Sequence, residues 1–184
     1  MADDLTGKVR LVRPSEQYLE SYLEACKEFK AAHVQYASVH DPDAFHDWRD
    51  TIFAGFANSE RGIGLKEGYV PSTTFWLVDG SDYVGTGNIR HRLTPALEEF
   101  GGHIGYLIRP SRWNLGYGTV QLRYLLREAC KLGIDPALIT CDLDNPASAR
   151  VMVKNGARLI DATKRVIDGA QRTICRFEVP TCRG

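Results

Sequence analysis

The apolar run from Ile104 to Ile108 stops at Arg109-Pro110, and six residues past the proline Gly116-Tyr117-Gly118 opens an amphipathic stretch, Thr119 to Lys131. Proline cannot donate to a strand ladder, so the strand ends there. The glycines permit a tight turn, and the apolar spacing beyond them predicts a long helix. A turn of this kind leaves several backbone N–H groups unpaired at a helix N-terminus, where the dipole favours an anion. Tyr117 adds an aromatic wall beside them. The segment therefore predicts a site for phosphate or pyrophosphate, and so for a phosphorylated cofactor.

The remainder of the chain supplies elements to surround that site. Lys8 to Arg13 alternates as a first strand, which Pro14 ends. Ser15 is the expected cap of a helix from Glu16 to about Tyr36, with Leu19, Tyr22, Leu23 and Cys26 on one stripe. A second helical segment, Ala44 to Asn58, carries Phe45, Trp48, Phe53 and Phe56 at core spacing, and Arg61 to Pro71 reads as a loop. Thr73–Asp79 and Tyr83–Arg92 form a hairpin across Asp79-Gly80-Ser81-Asp82, and Leu93 to Gly102 links it to the next strand. Gly133 closes the glycine-loop helix, Ala137 to Cys141 is a buried strand, and a helix runs from Asn145-Pro146 to Asn155-Gly156. Two last strands, Arg158–Val166 and Thr173–Val179, flank Asp168-Gly169. This order predicts one α/β (α+β) domain over residues 1–184. Its sheet is central, mixed and mostly antiparallel, of about seven strands with about four helices.

Composition narrows the partners. The 184 residues carry zero net charge, so no basic excess points to nucleic acid or an anionic membrane. No apolar run approaches the roughly eighteen residues of a membrane span. The start, Met1-Ala2-Asp3-Asp4, lacks the pattern of a secretory leader. Five scattered cysteines without a Cys-x-x-Cys are expected to be reduced thiols, Cys130 and Cys141 in the core, and five histidines show no metal-ligand spacing. His33, His40 and His46 are expected on polar faces, and Trp76 in packing. A cytoplasmic, metal-free protein is the expectation.

At this point the chain resembles the GNAT superfamily of N-acetyltransferases. The strand–glycine loop–helix carries the resemblance, with Asp144-Asn145-Pro146-Ala147-Ser148 and Lys154-Asn155-Gly156. Gly101-Gly102-His103-Ile104-Gly105-Tyr106 further resembles a bacterial subgroup of predicted acetyltransferases. The resemblance implies acetyl-CoA as donor, an amine of a small molecule or peptide as acceptor, direct attack in a ternary complex, and a homodimer as a family habit. It places the pyrophosphate on Asn114, Leu115, Gly116, Tyr117, Gly118 and Thr119, with Arg112 beside them. The backbone of Tyr106, Leu107 and Ile108 would meet the pantetheine arm as an added strand does, and N–H groups near Leu107 would polarise the thioester carbonyl. Asn145 and Ser148 are further cofactor contacts; Asn145 is equally a helix cap.

Three positions depart from the family pattern. The loop begins with Trp113 where the family has Gln or Arg, and arginine stands one place early at Arg112. Met152 occupies the place of the tyrosine that protonates the departing thiolate, leaving that task to water or to another group, Tyr117 or Ser148. Gly102 falls where many members carry the general base, so His103, Glu98 and Glu99 become candidates, with His91 and Arg92 nearby. Two other readings compete: an acyltransferase using another acyl-CoA, and a non-catalytic acyl-CoA-binding or regulatory module.

Overall fold

A computed structural model describes residues 5, 7–34, 40, 49–167 and 169–182. Strand β1 (Val9–Val12) leads through a short 3₁₀ turn into α1 (Leu19–Ala31). A π turn at Arg49–Phe53 precedes α2 (Ala54–Arg61), and β2 (Ser72–Asp79), β3 (Asp82–Arg90), α3 (Pro95–Glu99) and β4 (Ile104–Ile108) follow. Then come α4 (Tyr117–Lys131), β5 (Ala137–Asp142), α5 (Pro146–Lys154), β6 (Arg158–Ile167) and β7 (Ala170–Val179).

The expected single sheet is two. One has the order β1-β2-β3-β4 and the other β5-β7-β6, and every ladder in both is antiparallel. The two faces of the first sheet bury different sets of side chains, as strand alternation requires. Trp76, Val78 and Tyr83 face α1, whose Tyr22, Ala25, Cys26 and Phe29 recur at helical spacing. The Tyr22 and Trp76 rings stack at 4.7 Å, and Phe53 and Phe56 close in on Trp76. On the other face Phe75, Ile89 and Ile104 pack under Leu122, Leu125, Leu126 and Ala129 of α4. Gly87 makes that approach close: a Cβ there would lie 2.5 Å from Leu125 Cδ1.

Among the described residues one backbone hydrogen bond links the sheets, at His103 and Leu138, with the Gly101 N–H donating to Thr140 Oγ1 beside it. The His103 N–H donates to the Leu138 carbonyl at 2.7 Å, and the Leu138 N–H donates to His103 Nδ1 at 3.0 Å. Beyond this junction β4 and β5 share no ladder, and the β4 edge is left open. Gly102 supports the contact at a φ of +61°, and a Cβ on it would stand 2.4 Å from the Leu138 oxygen.

Several boundaries differ from the expectation. The first helix ends at Ala31, where Ala32 and His33 turn out of it, and the tail of that prediction, Tyr36 included, lies outside the described residues. The second begins at Ala54, with Phe45 and Trp48 likewise outside them. The linker after β3 hides a short helix, α3, because Thr94 accepts the Leu97 N–H as a cap. The glycine-loop helix starts at Tyr117, two residues early, since Gly116 itself forms the N-cap. His40 is half-buried, bonded through Nδ1 to the Tyr22 hydroxyl, rather than on a polar face. Asp168 and His46 are outside the described residues.

Cys130 is a disulfide partner, not a reduced core thiol. It pairs with Cys182, while Cys26, Cys141 and Cys175 are buried and lie outside any disulfide. The spacing concealed this because only the fold brings the end of the chain onto the last turn of α4. Among the described residues no helix is long and apolar enough to cross a membrane. The bridge closes a loop with a sequence separation of 52. Cys182→Ser is therefore expected to lower unfolding free energy by up to about 4 kcal/mol in a urea titration, the wild type matching it once reduced.

Candidate active site

The glycine turn is built as its composition demands. Gly116 takes φ +94°, and Asn114, a residue type that tolerates the left-handed region, takes φ +60°. No side chain caps α4. The N–H groups of residues 114–118 find no protein partner among the described residues, so five donors cluster at a positive helix end. Asn114, Gly116, Tyr117 and Gly118 among them line a cleft of about 640 Å³ between the β4 edge, this turn and α5.

The β4 wall offers backbone too. Arg109 N–H donates to Val84 O and Arg90 N–H to His103 O, so odd-numbered residues carry the ladder to β3. By alternation the N–H groups of Tyr106 and Ile108, not of Leu107, point towards the open edge. Trp113 Nε1 donates to the Ile108 carbonyl at 2.6 Å and so closes the strand's far end.

On the α5 wall, the Tyr106 hydroxyl lies 2.9 Å from Ser148 Oγ and donates to the Ser148 carbonyl at 3.2 Å. Asn145 Oδ1 accepts the Ser148 N–H and caps α5, as a helix-start asparagine should. Arg150 and Lys154, four residues apart on one helix face, line the same cleft without a carboxylate partner among the described residues. Four N–H donors at one end and two cations along the rim suit an elongated phosphorylated ligand.

The turn is held from behind by a pair that the sequence did not reveal. Arg109 is 8 % exposed and donates to Glu28 Oε1 through Nε and Nη2, at 3.1 and 2.5 Å, and to the Tyr83 carbonyl and Ser21. Glu28 also accepts the Ser111 N–H and hydroxyl. Burial would raise the Glu28 carboxyl, but the bonds from Arg109 and Ser111 outweigh it and hold it below its ordinary value. Asn155 does similar work on the other side, donating to the Thr119 and Val151 carbonyls and so tying α5 to the first turn of α4.

The structure gathers most of the predicted cofactor residues. Tyr106, Leu107, Ile108, Arg112, Asn114, Gly116, Tyr117, Gly118, Thr119, Asn145 and Ser148 all line the cleft. Leu115 does not; it is exposed on the outside of the turn. Arg112 pairs with Asp82 at 2.8 Å, and the Tyr117 hydroxyl donates to Asp79 at 2.8 Å. Burial and Asp79 both push the Tyr117 phenol up, and its hydroxyl proton is engaged by Asp79. Met152 is fully buried in the core.

The base candidates stand elsewhere. His103 has its Nδ1 occupied by the Leu138 N–H; burial, then Arg90, lower its affinity for a proton. Glu99 pairs with Arg165, and Glu98 sits on α3, off the cleft. The overlap at Gly102 leaves no room for a side chain at that position. No carboxylate or histidine is among the described residues lining the cleft. Cys141 is no nucleophile, since burial, then Cys175 and Asp142, push its thiol up to about 11.

A family model described as an acetyltransferase (GNAT) domain matches residues 8–158. The chain belongs to the GNAT acetyltransferase family. Solved structures share the fold at low identity. The ribosomal L7/L12 alpha-N-protein acetyltransferase RimL, in complex with coenzyme A, is 17 % identical with a TM-score of 0.66, covering 95 % of this chain and 94 % of its own. The microcin C7 self-immunity acetyltransferase MccE, with acetyl-CoA and AMP, is 15 % identical with a TM-score of 0.67, covering 95 % and 93 %. A GNAT acetyltransferase from Bacillus anthracis is 17 % identical with a TM-score of 0.63, covering 95 % of each chain. Among curated proteins no sequence match was found.

Two outcomes follow from this geometry. Gly116→Val forces a branched side chain into a left-handed conformation, at roughly 1–2 kcal/mol. It should weaken CoA binding at least tenfold by calorimetry while the far-ultraviolet dichroism is unchanged. Because the Glu28 carboxyl titrates lower when folded than its reference value of 4.5, its stabilisation is present above that pH and is lost as pH falls through the folded value. Acid melting should show that loss in the wild type and much less of it in Glu28→Gln.

Proposed function

We propose that residues 1–184 form one acetyl-CoA-dependent N-acetyltransferase domain that moves an acetyl group to a primary amine of a small molecule or peptide by direct attack. The observation that carries this reading is the cleft where four N–H groups and two cations, unpaired among the described residues, converge with the open β4 edge. Residues 114–118 hold the pyrophosphate, with Thr119 behind them. The Tyr106 and Ile108 N–H groups receive the pantetheine amide and the thioester carbonyl, as a sheet edge receives an added strand. Acetyl-CoA supplies an activated acyl group and a thiolate leaving group.

The departing thiolate needs a proton, and Met152 has none to give. The Tyr106–Ser148 pair supports that role: a phenol ordinarily titrates closer to a thiol than an alcohol does, so Tyr106 supplies the proton and Ser148 passes it on, while the proton released by the acylated amine goes to solvent and solvent restores the phenol. Tyr106→Phe and Ser148→Ala are expected to lower kcat about a hundredfold and leave the CoA dissociation constant nearly unchanged. Equal kcat in all three proteins would remove the pair from the mechanism.

Arg150 and Lys154 fit the 3′-phosphate at the ligand's other end. The double replacement by alanine should weaken CoA about tenfold and leave dephospho-CoA unaffected, each exposed ion contact being worth up to about 1 kcal/mol.

A non-catalytic acyl-CoA-binding module is the second reading, favoured by Gly102, which has no room for the usual base. Thiol release from acetyl-CoA, measured across a panel of amines, separates the two: turnover with any amine excludes the module. Release from succinyl-CoA alone would instead favour a different acyl donor.

A further inference from the structure

A second cavity, of about 280 Å³, opens where β1 ends, between α2 and the start of β2. Pro14, Phe53, Phe56 and Ala57 give it apolar walls, and Thr74 lines it from the sheet. Its two charged residues neutralise each other. Arg13 Nη1 and Nη2 donate to the two Glu60 oxygens at 2.9 and 2.5 Å, and the Thr73 hydroxyl donates to Glu60 Oε1 at 3.1 Å. Thr74 shares with Trp76 the face of the first sheet that meets α1, and the register sets Asn88 opposite Thr74 and Gly105 opposite Asn88. The row Thr74–Asn88–Gly105 therefore crosses the sheet from the cavity to β4, whose edge holds the thioester in the proposed reaction. With neighbouring strands about 4.8 Å apart, the row spans about 10 Å. Asn88 Nδ2 donates to Thr74 Oγ1 at 3.3 Å. The Asn88 side chain is half-buried, and its Oδ1 has no hydrogen-bond partner among the described residues.

We propose that this cavity receives the tail of the acetyl acceptor, and that the acceptor is a primary amine carrying one uncharged aromatic ring. The inference rests on the transferase reading and names its substrate class. The neutral amine lies over Asn88 and Gly105, where Oδ1 accepts one of its N–H groups and the nitrogen lone pair faces the thioester. Gly105 sets no side chain in the way. The C–N bond forms as the C–S bond breaks; the nitrogen's proton passes to solvent, and the thiolate takes one from Tyr106. A ring one to two strand spacings from the nitrogen, about 5–10 Å, reaches Pro14, Phe53 and Phe56. A polyamine fits poorly. Its second ammonium would meet a Glu60 whose oxygens are already taken by Arg13 and Thr73, with Arg13 itself repelling it. A carboxylate tail fails for the converse reason, since the Arg13 guanidinium is committed to Glu60. A short alkyl tail enters but removes less apolar area from water.

Calorimetry with acetyl-CoA, followed by thiol release with 2-phenylethylamine, n-butylamine and spermidine, tests this. The kcat/KM for 2-phenylethylamine should exceed that for either other amine by about thirtyfold or more. Ala57→Phe fills the cavity from an exposed position on α2. It should erase that preference, bringing 2-phenylethylamine and n-butylamine within about threefold of each other, with the melting curve and the CoA affinity unaltered. Asn88→Leu, close in size but without Oδ1, should raise KM for both amines about tenfold at similar kcat. The proposal is overturned if n-butylamine or spermidine matches 2-phenylethylamine, if the preference survives Ala57→Phe, or if KM is unmoved in Asn88→Leu. Acetyl-CoA binding with no release by 2-phenylethylamine overturns it as well, and leaves the transferase reading standing on other amines. Failure to bind acetyl-CoA is a separate result, which removes the transferase reading and this acceptor with it.

Discussion

The contact on which the rest depends is the pair of hydrogen bonds between His103 and Leu138. One backbone hydrogen bond and one imidazole nitrogen join the two sheets there, the Gly101 N–H adds a bond to Thr140 Oγ1 beside them, and no ladder runs on between β4 and β5. Had the ladder run on, the β4 backbone would be satisfied by β5. Because it stops, Tyr106 and Ile108 keep outward-facing groups that a ligand amide can satisfy. His103, attractive in sequence as a base, serves as the rivet, and Gly102 is glycine because the Leu138 carbonyl leaves no room for more.

Around that opening the molecule spends buried polar groups on rigidity. Arg109 and Glu28 fasten the exit of β4 to α1, and Asn155 fastens α5 to the first turn of α4. Both brace the glycine turn from outside the cleft, so its N–H donors keep their aim without side-chain caps. Breaking either brace leaves a buried polar group unpaired, the costly direction of the hydrogen-bond asymmetry. The disulfide from Cys182 pins the chain's end to the opposite terminus of the same helix.

Much of the site was legible in linear order. Gly116, Asn114 and Pro110 mark a turn whose backbone angles few residues tolerate, and Asn145-Pro146 marks a helix start, so local chemistry predicted both correctly. Glu28 and Arg109 are 81 positions apart, and no local pattern links them. The disulfide was hidden for the same reason, and the short α3 was missed because its five residues are too few for a period to show.

The sequence by itself determined where most strands and helices lie and that a glycine turn opens the helix after β4, both from backbone preferences and apolar spacing that act over a few residues. The family was legible through a resemblance of the glycine loop and the Asn145 and Asn155 motifs. The tertiary structure alone decided that the sheet is split at β4–β5, that Tyr106 meets Ser148 while Tyr117 turns to Asp79, and that His103 is bound up in the junction. Each of those depends on which face of a strand a side chain occupies once distant segments pack, and that is set by the whole core rather than by any one segment.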